Sequence, residues 1–281
     1  MSKFSKVFFA SDFDHTLTDQ QGNIPKANVE AIEYFIAHGG IFTVASGRSI
    51  PMFGSRYEAV PINAPCILYN GSACYDYAAK QLHYAHTLDD FALEILEKIR
   101  REHPDLTTEI QGQTHHYLTG EQGWRELFLR SQKVPFLYCE GDIPKPWMKL
   151  VVCDGKWRLK SNNPKDVEPE HAARFVALRD ELDAFCAGRC YVTRSMPTII
   201  EISNPNSDKG RAARALAQQY GRSILACAGD APNDETMLRE ADYAFAPCDR
   251  DEGLQGDFFT ETQSCNLGCV ADAIEKLEKL L

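Results

Sequence analysis

No apolar run approaches the roughly 18 to 20 residues that a membrane-crossing helix needs, so the sequence argues against a membrane span. No secretory leader is expected at the start either: after Lys3 and Lys6 the chain enters Val7-Phe8-Phe9, too short for the apolar region of a secretory signal. A cytoplasmic location is the expectation. Positive charge is in deficit, with 30 Lys plus Arg against 40 Asp plus Glu and a formal net charge of -10. A surface of that sign does not track a polyanion, which speaks against nucleic acid as the main partner. Repeats of solenoid length and low-complexity tracts are missing too. Cysteine is not scarce, but its patterns are: Cys186 with Cys190 and Cys265 with Cys269 lack the spacing and the matching second pair of a zinc knuckle. The ten cysteines are scattered in contexts such as Pro65-Cys66-Ile67 and read as reduced core thiols rather than a disulfide scaffold.

What is present is an ordinary globular composition, 44% hydrophobic and 25% charged over 281 residues, enough for one large or two modest domains. Four apolar runs, Val7 to Ala10, Ile41 to Ala45, Cys66 to Tyr69 and Ile224 to Ala228, each stop at a small or polar cluster and read as buried parallel strands. Ala27 to His38 has helical spacing and ends at Gly39-Gly40, giving a strand, helix, strand unit. Near the other end, Asp234 to Ala241, Tyr243 to Ala246 and Val270 to Leu281 read as helix, strand and helix. The middle differs: helices over Leu88 to Glu102, Trp124 to Ser131 and Pro169 to Phe185 alternate with paired strand candidates. Those are Leu106 to Ile110 with His115 to Leu118, then Trp147 to Cys153, and a hairpin of Cys190 to Arg194 with Thr198 to Ile202. The expected fold class is α/β, a Rossmann-like parallel-sheet core from residues 1–83 and 206–281 with an α+β domain inserted at 84–205.

The sharpest chemical signal is Ser11-Asp12-Phe13-Asp14-His15-Thr16, directly off the first strand. Asp12 and Asp14 stand two apart at the carboxyl end of a strand, where open α/β sheets place ligands. Two carboxylates so close repel, and a hard divalent cation beside a phosphate-bearing substrate removes that cost. The bland reading is a polar loop whose aspartates cap backbone amides. Gly229-Asp230-Ala231-Pro232-Asn233-Asp234 follows another apolar strand and adds carboxylates on the same sheet edge, with Asp234 as a mere helix cap the alternative. Ser46-Gly47 after the second strand offers a hydroxyl and an amide for phosphoryl oxygens, or a common turn. Lys209-Gly210 opens a helical run from Arg211 to Tyr220, where amides and an ammonium favour an anion, although a lysine there is commonly a solvated one. Together these groups suit phosphoryl transfer to a carboxylate nucleophile.

On these residues the sequence resembles the haloacid dehalogenase superfamily, and within it the Cof-type phosphatases that carry a large cap. Asp12-Phe13-Asp14-His15-Thr16, Ser46-Gly47-Arg48, Lys209-Gly210 and Gly229 to Asp234 stand for its four motifs in order. Cys66 to Ala73 resembles the Asn-Gly stretch before the cap, and Thr198 to Ile202 its closing strand. The resemblance implies that Asp12 attacks phosphorus to form an aspartyl-phosphate, while Asp14 protonates the leaving alcohol and then activates water. It implies Mg²⁺ on Asp12, the Asp14 backbone carbonyl and Asp230, with Asp234 holding the metal shell or Lys209. Phosphate binding falls to the Phe13 amide, Ser46, Gly47, Lys209 and Asn233. His15 departs from a frequent glycine, Asp208 from a frequent serine or threonine with the prospect of pairing with Lys209, and Ala246 to Arg250 from the usual pattern.

The expected substrate is a small phosphorylated metabolite, a sugar phosphate or related phosphoester. The insert, as a lid, is expected to read the leaving group, with Glu109, His115, His116, Tyr117, Trp124, Arg125 and Arg194 as candidates. His115 and His116 are neighbours in a strand and so face opposite ways, which excludes joint metal ligation. Lys156 to Lys160 reads as a solvated basic loop. A phosphosugar mutase and a phospho-accepting regulatory module remain as alternatives at this point. The oligomeric state is not legible.

Overall fold

In the computed structural model, which describes residues 2–120, 123–139, 141–154 and 167–281, the chain begins with β1 (Val7–Ser11), α1 (Lys26–Ala37), β2 (Ile41–Val44) and a short α2 (Ile50–Gly54). Then come β3 (Cys66–Leu68), β4 (Ala73–Asp76), β5 (Gln81–Ala85), α3 (Phe91–Glu102), β6 (Thr107–Gln111), β7 (His116–Gly120), α4 (Trp124–Ser131) and β8 (Phe136–Tyr138). After β9 (Lys149–Cys153), α5 (Pro169–Cys186), β10 (Tyr191–Met196) and β11 (Ile199–Ser203) follow α6 (Lys209–Gln219) and β12 (Ile224–Ala228). The chain closes with α7 (Glu235–Glu240), β13 (Tyr243–Pro247), β14 (Thr260–Thr262) and α8 (Cys269–Leu280). Two compact units result. One holds the chain up to Arg48 with Arg56–Tyr84 and Asp208–Leu281; the other holds Ser49–Ser55 and Ala85–Ser207. The heptapeptide Ser49–Ser55, counted with the outer segments in the sequence reading, groups with the second unit because Met52 packs there against Leu118, Leu129 and Val134.

The first unit is a five-stranded sheet in the order β14-β13-β12-β1-β2, parallel throughout. All five residues of β1 are buried, as a strand covered on both faces requires. Phe8 and Ala10 meet Ala212, Ala213 and Leu216 of α6, while Phe9 points the other way onto Phe35 of α1, its ring centroid 5.9 Å distant. Val270, Ala273, Ile274 and Leu277 of α8 are buried at helical spacing, and each of the larger ones contributes about 1.5–3 kcal/mol. The chain winds outward from β1 in both directions, so the gap between the carboxyl ends of β1 and β12 is the topological switch point, where such sheets bind ligands.

One strand expectation fails. Cys66–Leu68 does not extend the parallel sheet; it pairs antiparallel with β4 in a separate sheet β3-β4-β5, and only an isolated parallel bridge joins Ala45 to Ile67. Positive φ at Tyr69 and Asn70 (52° and 57°) turns the chain back on itself at the strand end, so β4 takes the partner's place.

The second unit is a six-stranded sheet, β10-β11-β9-β6-β7-β8, with antiparallel neighbours except β7 and β8. Ile110, Leu150, Val152, Ile200 and Ile202 face α3 and α5 in one apolar core. Alternation sends Glu109, Lys149 and Glu201 to the opposite face. Lys156 to Lys160 lies outside the described residues. All ten cysteines are free thiols, and among the described residues no helix is long and apolar enough to cross a membrane.

Candidate active site

Every residue singled out at the strand ends lies in the first unit. The Asp12 amide donates to the Ala228 carbonyl at 2.8 Å, which carries the β1–β12 pairing one residue past Ser11 and holds Asp12 at the switch point. The chain then coils tightly over Phe13–Leu17, with the Thr18 amide returning to the Phe13 carbonyl at 2.9 Å. This coil passes through His15 at φ 59° and ψ 8°. The left-handed conformation costs a non-glycine residue roughly 1–2 kcal/mol, the physical reason glycine suits that position. The His15 side chain is exposed and its amide donates to Thr18 Oγ1 at 3.2 Å.

Lys209, the first residue of α6, is buried rather than solvated. Its Nζ donates to Asp12 Oδ1 and to Asp234 Oδ1, both at 2.7 Å. Asp234 spends its other oxygen on the amides of Asp230 and Ala231, each at 3.1 Å, and Asp230 accepts the Thr16 hydroxyl at 2.8 Å. Gly229 makes this loop possible, since a Cβ there would stand 2.5 Å from Asp234 Cβ. Carboxylate oxygens of Asp12, Asp230 and Asp234 lie within 4.8 Å of one another. Asp208, with the prospect of pairing with Lys209, instead caps α6 by accepting from the amides of Gly210 and Arg211 at 2.8 and 3.0 Å. An aspartate at a helix N-cap is held by the open amides there, which leaves Lys209 to the buried acids.

Three buried acids lie around one ammonium, which bonds Asp12 and Asp234 directly. Burial, then the Asp234 charge, pushes the Asp12 carboxyl up to about 7 despite the bond from Lys209. Burial followed by the charges of Asp12 and Asp234 raises Asp230 well above the carboxylate range. Burial works against the charged form of Lys209, but Asp12 and Asp234 outweigh it and hold its proton more firmly. A cluster with more carboxylate than positive charge, all of it hard oxygen, fits a divalent cation such as Mg²⁺.

The Asp14 carboxylate stays out of that cluster. Arg48 grips it with two bonds, Nε to Oδ2 at 2.8 Å and Nη2 to Oδ1 at 2.7 Å. Burial raises the acid, but these bonds and the guanidinium charge prevail and keep Asp14 below its usual range. Arg48 also lies 5.0 Å over the Phe13 ring. Ser46 is buried and accepts the Arg48 amide at 3.2 Å. Gly47 packs on Asn70, where a Cβ would meet Oδ1 at 2.8 Å, and Asn70 in turn accepts from Asn233 Nδ2 at 3.4 Å. Thus Ser46, Gly47 and Asn233 form one neighbourhood, through Asn70 and Arg48.

The sequence reading gave no role to Arg48, Asn70 or Thr16. Asn70 announced itself only by the Asn-Gly pair, which signals a positive φ. Of the residues proposed to read a leaving group, Glu109, His116, Trp124 and Arg125 are buried within the second unit. His115 and Arg194 are exposed and Tyr117 is half-buried against the helix-side core. His115 lies one residue before β7, not in it, and is exposed, while His116 opens the strand and is buried.

A profile of haloacid dehalogenase-like hydrolases matches residues 9–274. A protein of Buchnera aphidicola subsp. Schizaphis graminum (strain Sg) named "Putative phosphatase" is 21% identical over 231 residues, spanning 82% of this chain and 79% of that relative. Among solved structures, a haloacid dehalogenase-like hydrolase from Bacteroides thetaiotaomicron superposes with a TM-score of 0.77 at 19% identity, covering 96% of this chain and 98% of the other. A HAD subclass IIB sugar phosphatase superposes at 0.73 and 16% identity with the same coverage.

Proposed function

This chain belongs to the haloacid dehalogenase-like hydrolases, and from that premise we propose that it is a Mg²⁺-dependent phosphatase acting on a small phosphorylated metabolite, a sugar phosphate or related phosphoester, through an aspartyl-phosphate on Asp12. The observation that carries the reading is the buried Lys209 bridge between Asp12 and Asp234, with Asp230 in the same cluster. The relative named as a phosphatase and the solved sugar phosphatase support the reaction class. A net charge of -10 favours a small substrate in a cytoplasmic setting over nucleic acid or a membrane.

Asp12 Oδ1 is fixed by Lys209, which orients the carboxylate so that its second oxygen attacks phosphorus as the bond to the leaving alcohol breaks. The Lys209 ammonium, the Phe13 amide, Ser46, Gly47 and Asn233 receive the phosphoryl oxygens. Asp14 delivers a proton to the departing oxygen and later takes one from the water that hydrolyses the acyl phosphate. Held by Arg48 it is ionised, the form the second step needs; the first step requires it to leave Arg48 and gain a proton. Asp12, the Asp14 backbone carbonyl and Asp230 would hold Mg²⁺, while the oxygens of Asp234 already serve Lys209 and two amides. A bound Mg²⁺ offsets negative charge on nucleophile and phosphate.

Phosphate release from an aryl phosphate tests the reading. Activity is expected with Mg²⁺, and it is expected to vanish with EDTA or in Asp12→Ala. Equal rates with Mg²⁺ and EDTA, or full activity in Asp12→Ala, would refute it. An isomerised phosphosugar as the product would point to a mutase, and a long-lived phosphoprotein to a regulatory module.

A further inference from the structure

The second unit carries a buried polar chain that the proposed chemistry does not use. Ser49 Oγ lies 2.8 Å from His116 Nε2, and His116 Nδ1 lies 2.8 Å from Glu109 Oε1. Glu109 is held in turn by Arg125, through a bond to Oε2 and one of 3.1 Å to Oε1, and by Gln111 Nε2 at 2.8 Å. Ser49, Glu109 and His116 are all 0% exposed. Serine, histidine and glutamate in line have the make-up of a nucleophile relay, but a serine sealed from solvent meets no substrate. Its oxygen also caps α2, accepting the Met52 amide at 3.2 Å. The arrangement is that of a tether. The charged groups around the imidazole are Glu109, Arg125 and Lys149. The carboxylate at Nδ1 favours the proton on that nitrogen, leaving the Nε2 lone pair to accept the Ser49 hydroxyl.

What the tether holds is the start of Ser49–Ser55, and the residue before it is Arg48, the last of its segment in the first unit. Arg48 is the group that grips Asp14, and its carbonyl accepts the Tyr69 amide at 3.0 Å. Consecutive residues therefore belong to two units, one anchored on a buried imidazole and the other on the proposed acid–base group. We propose that His116, oriented by Glu109, is a positioning residue for the second, water-activating step: by fixing Ser49 it sets the 48–49 peptide and so the arm with which Arg48 holds Asp14 ionised. This rests on the phosphatase reading above.

The test is kcat and KM for an aryl phosphate with Mg²⁺, together with thermal unfolding, for Ser49→Ala, Ser49→Thr, His116→Gln and His116→Leu. Each is made in the natural chain and again on Arg48→Ala. Ser49→Ala and His116→Leu are expected to lower kcat between about ten- and a hundredfold, the range that misplacement of a reacting group causes, with KM changed less than about twofold. Ser49→Thr keeps the hydroxyl and is expected to restore kcat; His116→Gln, which keeps a polar atom for Ser49, should fall between. On Arg48→Ala the same changes should cost kcat less than about twofold further, because residues acting through one group are not additive, while still lowering the unfolding temperature as before. Should His116→Leu fail to fold, the smaller Ser49→Ala carries the comparison. The same fractional loss of kcat in both backgrounds, or no loss in the first, overturns the proposal while leaving the phosphatase reading intact. An inactive natural chain overturns both.

Discussion

Replacing Asp12 with asparagine should abolish turnover and yet make the metal-free protein harder to unfold. The Asp12 carboxyl sits at about 7 against an unfolded value of 3.8, chiefly through burial and the Asp234 charge. A carboxyl raised in the folded state binds its proton more tightly there, so its stabilising effect is complete below the unfolded value and is lost as pH climbs through about 7. Some three units at about 1.36 kcal/mol each put the cost of ionising Asp12 near 4 kcal/mol at pH 8 and above. Asparagine cannot ionise and so avoids that cost, which already includes the bond from Lys209, leaving a gain of about 4 kcal/mol. At about 2–4 °C per kcal/mol, the unfolding temperature in EDTA at pH 8 should rise by roughly 8–16 °C. Between pH 4 and 7 the natural chain should lose stability as pH rises, and Asp12→Asn should lose less. Scanning calorimetry or circular dichroism melts across that range decide the matter. An unchanged or lower melting temperature at pH 8, or equal slopes for both proteins, would show that Asp12 carries no such penalty and that the buried cluster is wrongly read.

Lys209→Met should do the opposite, costing about 3–5 kcal/mol because Asp12 and Asp234 are left buried without their shared cation; urea unfolding at pH 8 reads it, and a loss under about 1 kcal/mol contradicts the burial argument. Mg²⁺ should raise the melting temperature of the natural chain, by the equivalent of about 2.7 kcal/mol at a hundredfold excess over Kd, and Asp230→Asn should remove most of that rise. Arg48→Ala should leave stability within about 1 kcal/mol, since the Asp14 side chain is 45% exposed and such pairs are weak, while changing kcat; a stability loss beyond that with intact kcat would assign Arg48 a structural role only. In the second unit, Arg125→Ala should cost about 3–5 kcal/mol by stranding Glu109, which is 0% exposed, an outcome read by chemical unfolding.

The strand ends were legible because β1, β2 and β12 are mostly apolar runs that stop at acids, glycine or serine, the pattern of a strand buried on both faces. Their meeting at one switch point follows from parallel topology rather than from any one residue. β5, β8 and β14 escaped notice because they carry few buried residues; Gln81–Ala85, for example, has no fully buried residue, while the four-residue β4 is too short to show a pattern. Cys66–Leu68 was readable as a strand but not in its partner, since its direction of pairing is decided by the positive φ values of Tyr69 and Asn70 after it. The Arg48–Asp14 clamp and the Ser49–His116 contact join residues 34 and 67 positions apart, and no local pattern of charge or polarity announces either. The cap role of Asp208 was not legible, because the helix amides that claim it show only in three dimensions.

The grouping of Ser49–Ser55 with the second unit has a bearing on recombination experiments. The chain passes between the units at 48/49, 55/56, 84/85 and 207/208, so a transplant that exchanges only residues 85–207 separates Met52 from Leu118 and Ser49 from His116. A chimaera that exchanges the second unit has to carry the donor heptapeptide along with the larger segment to keep those contacts.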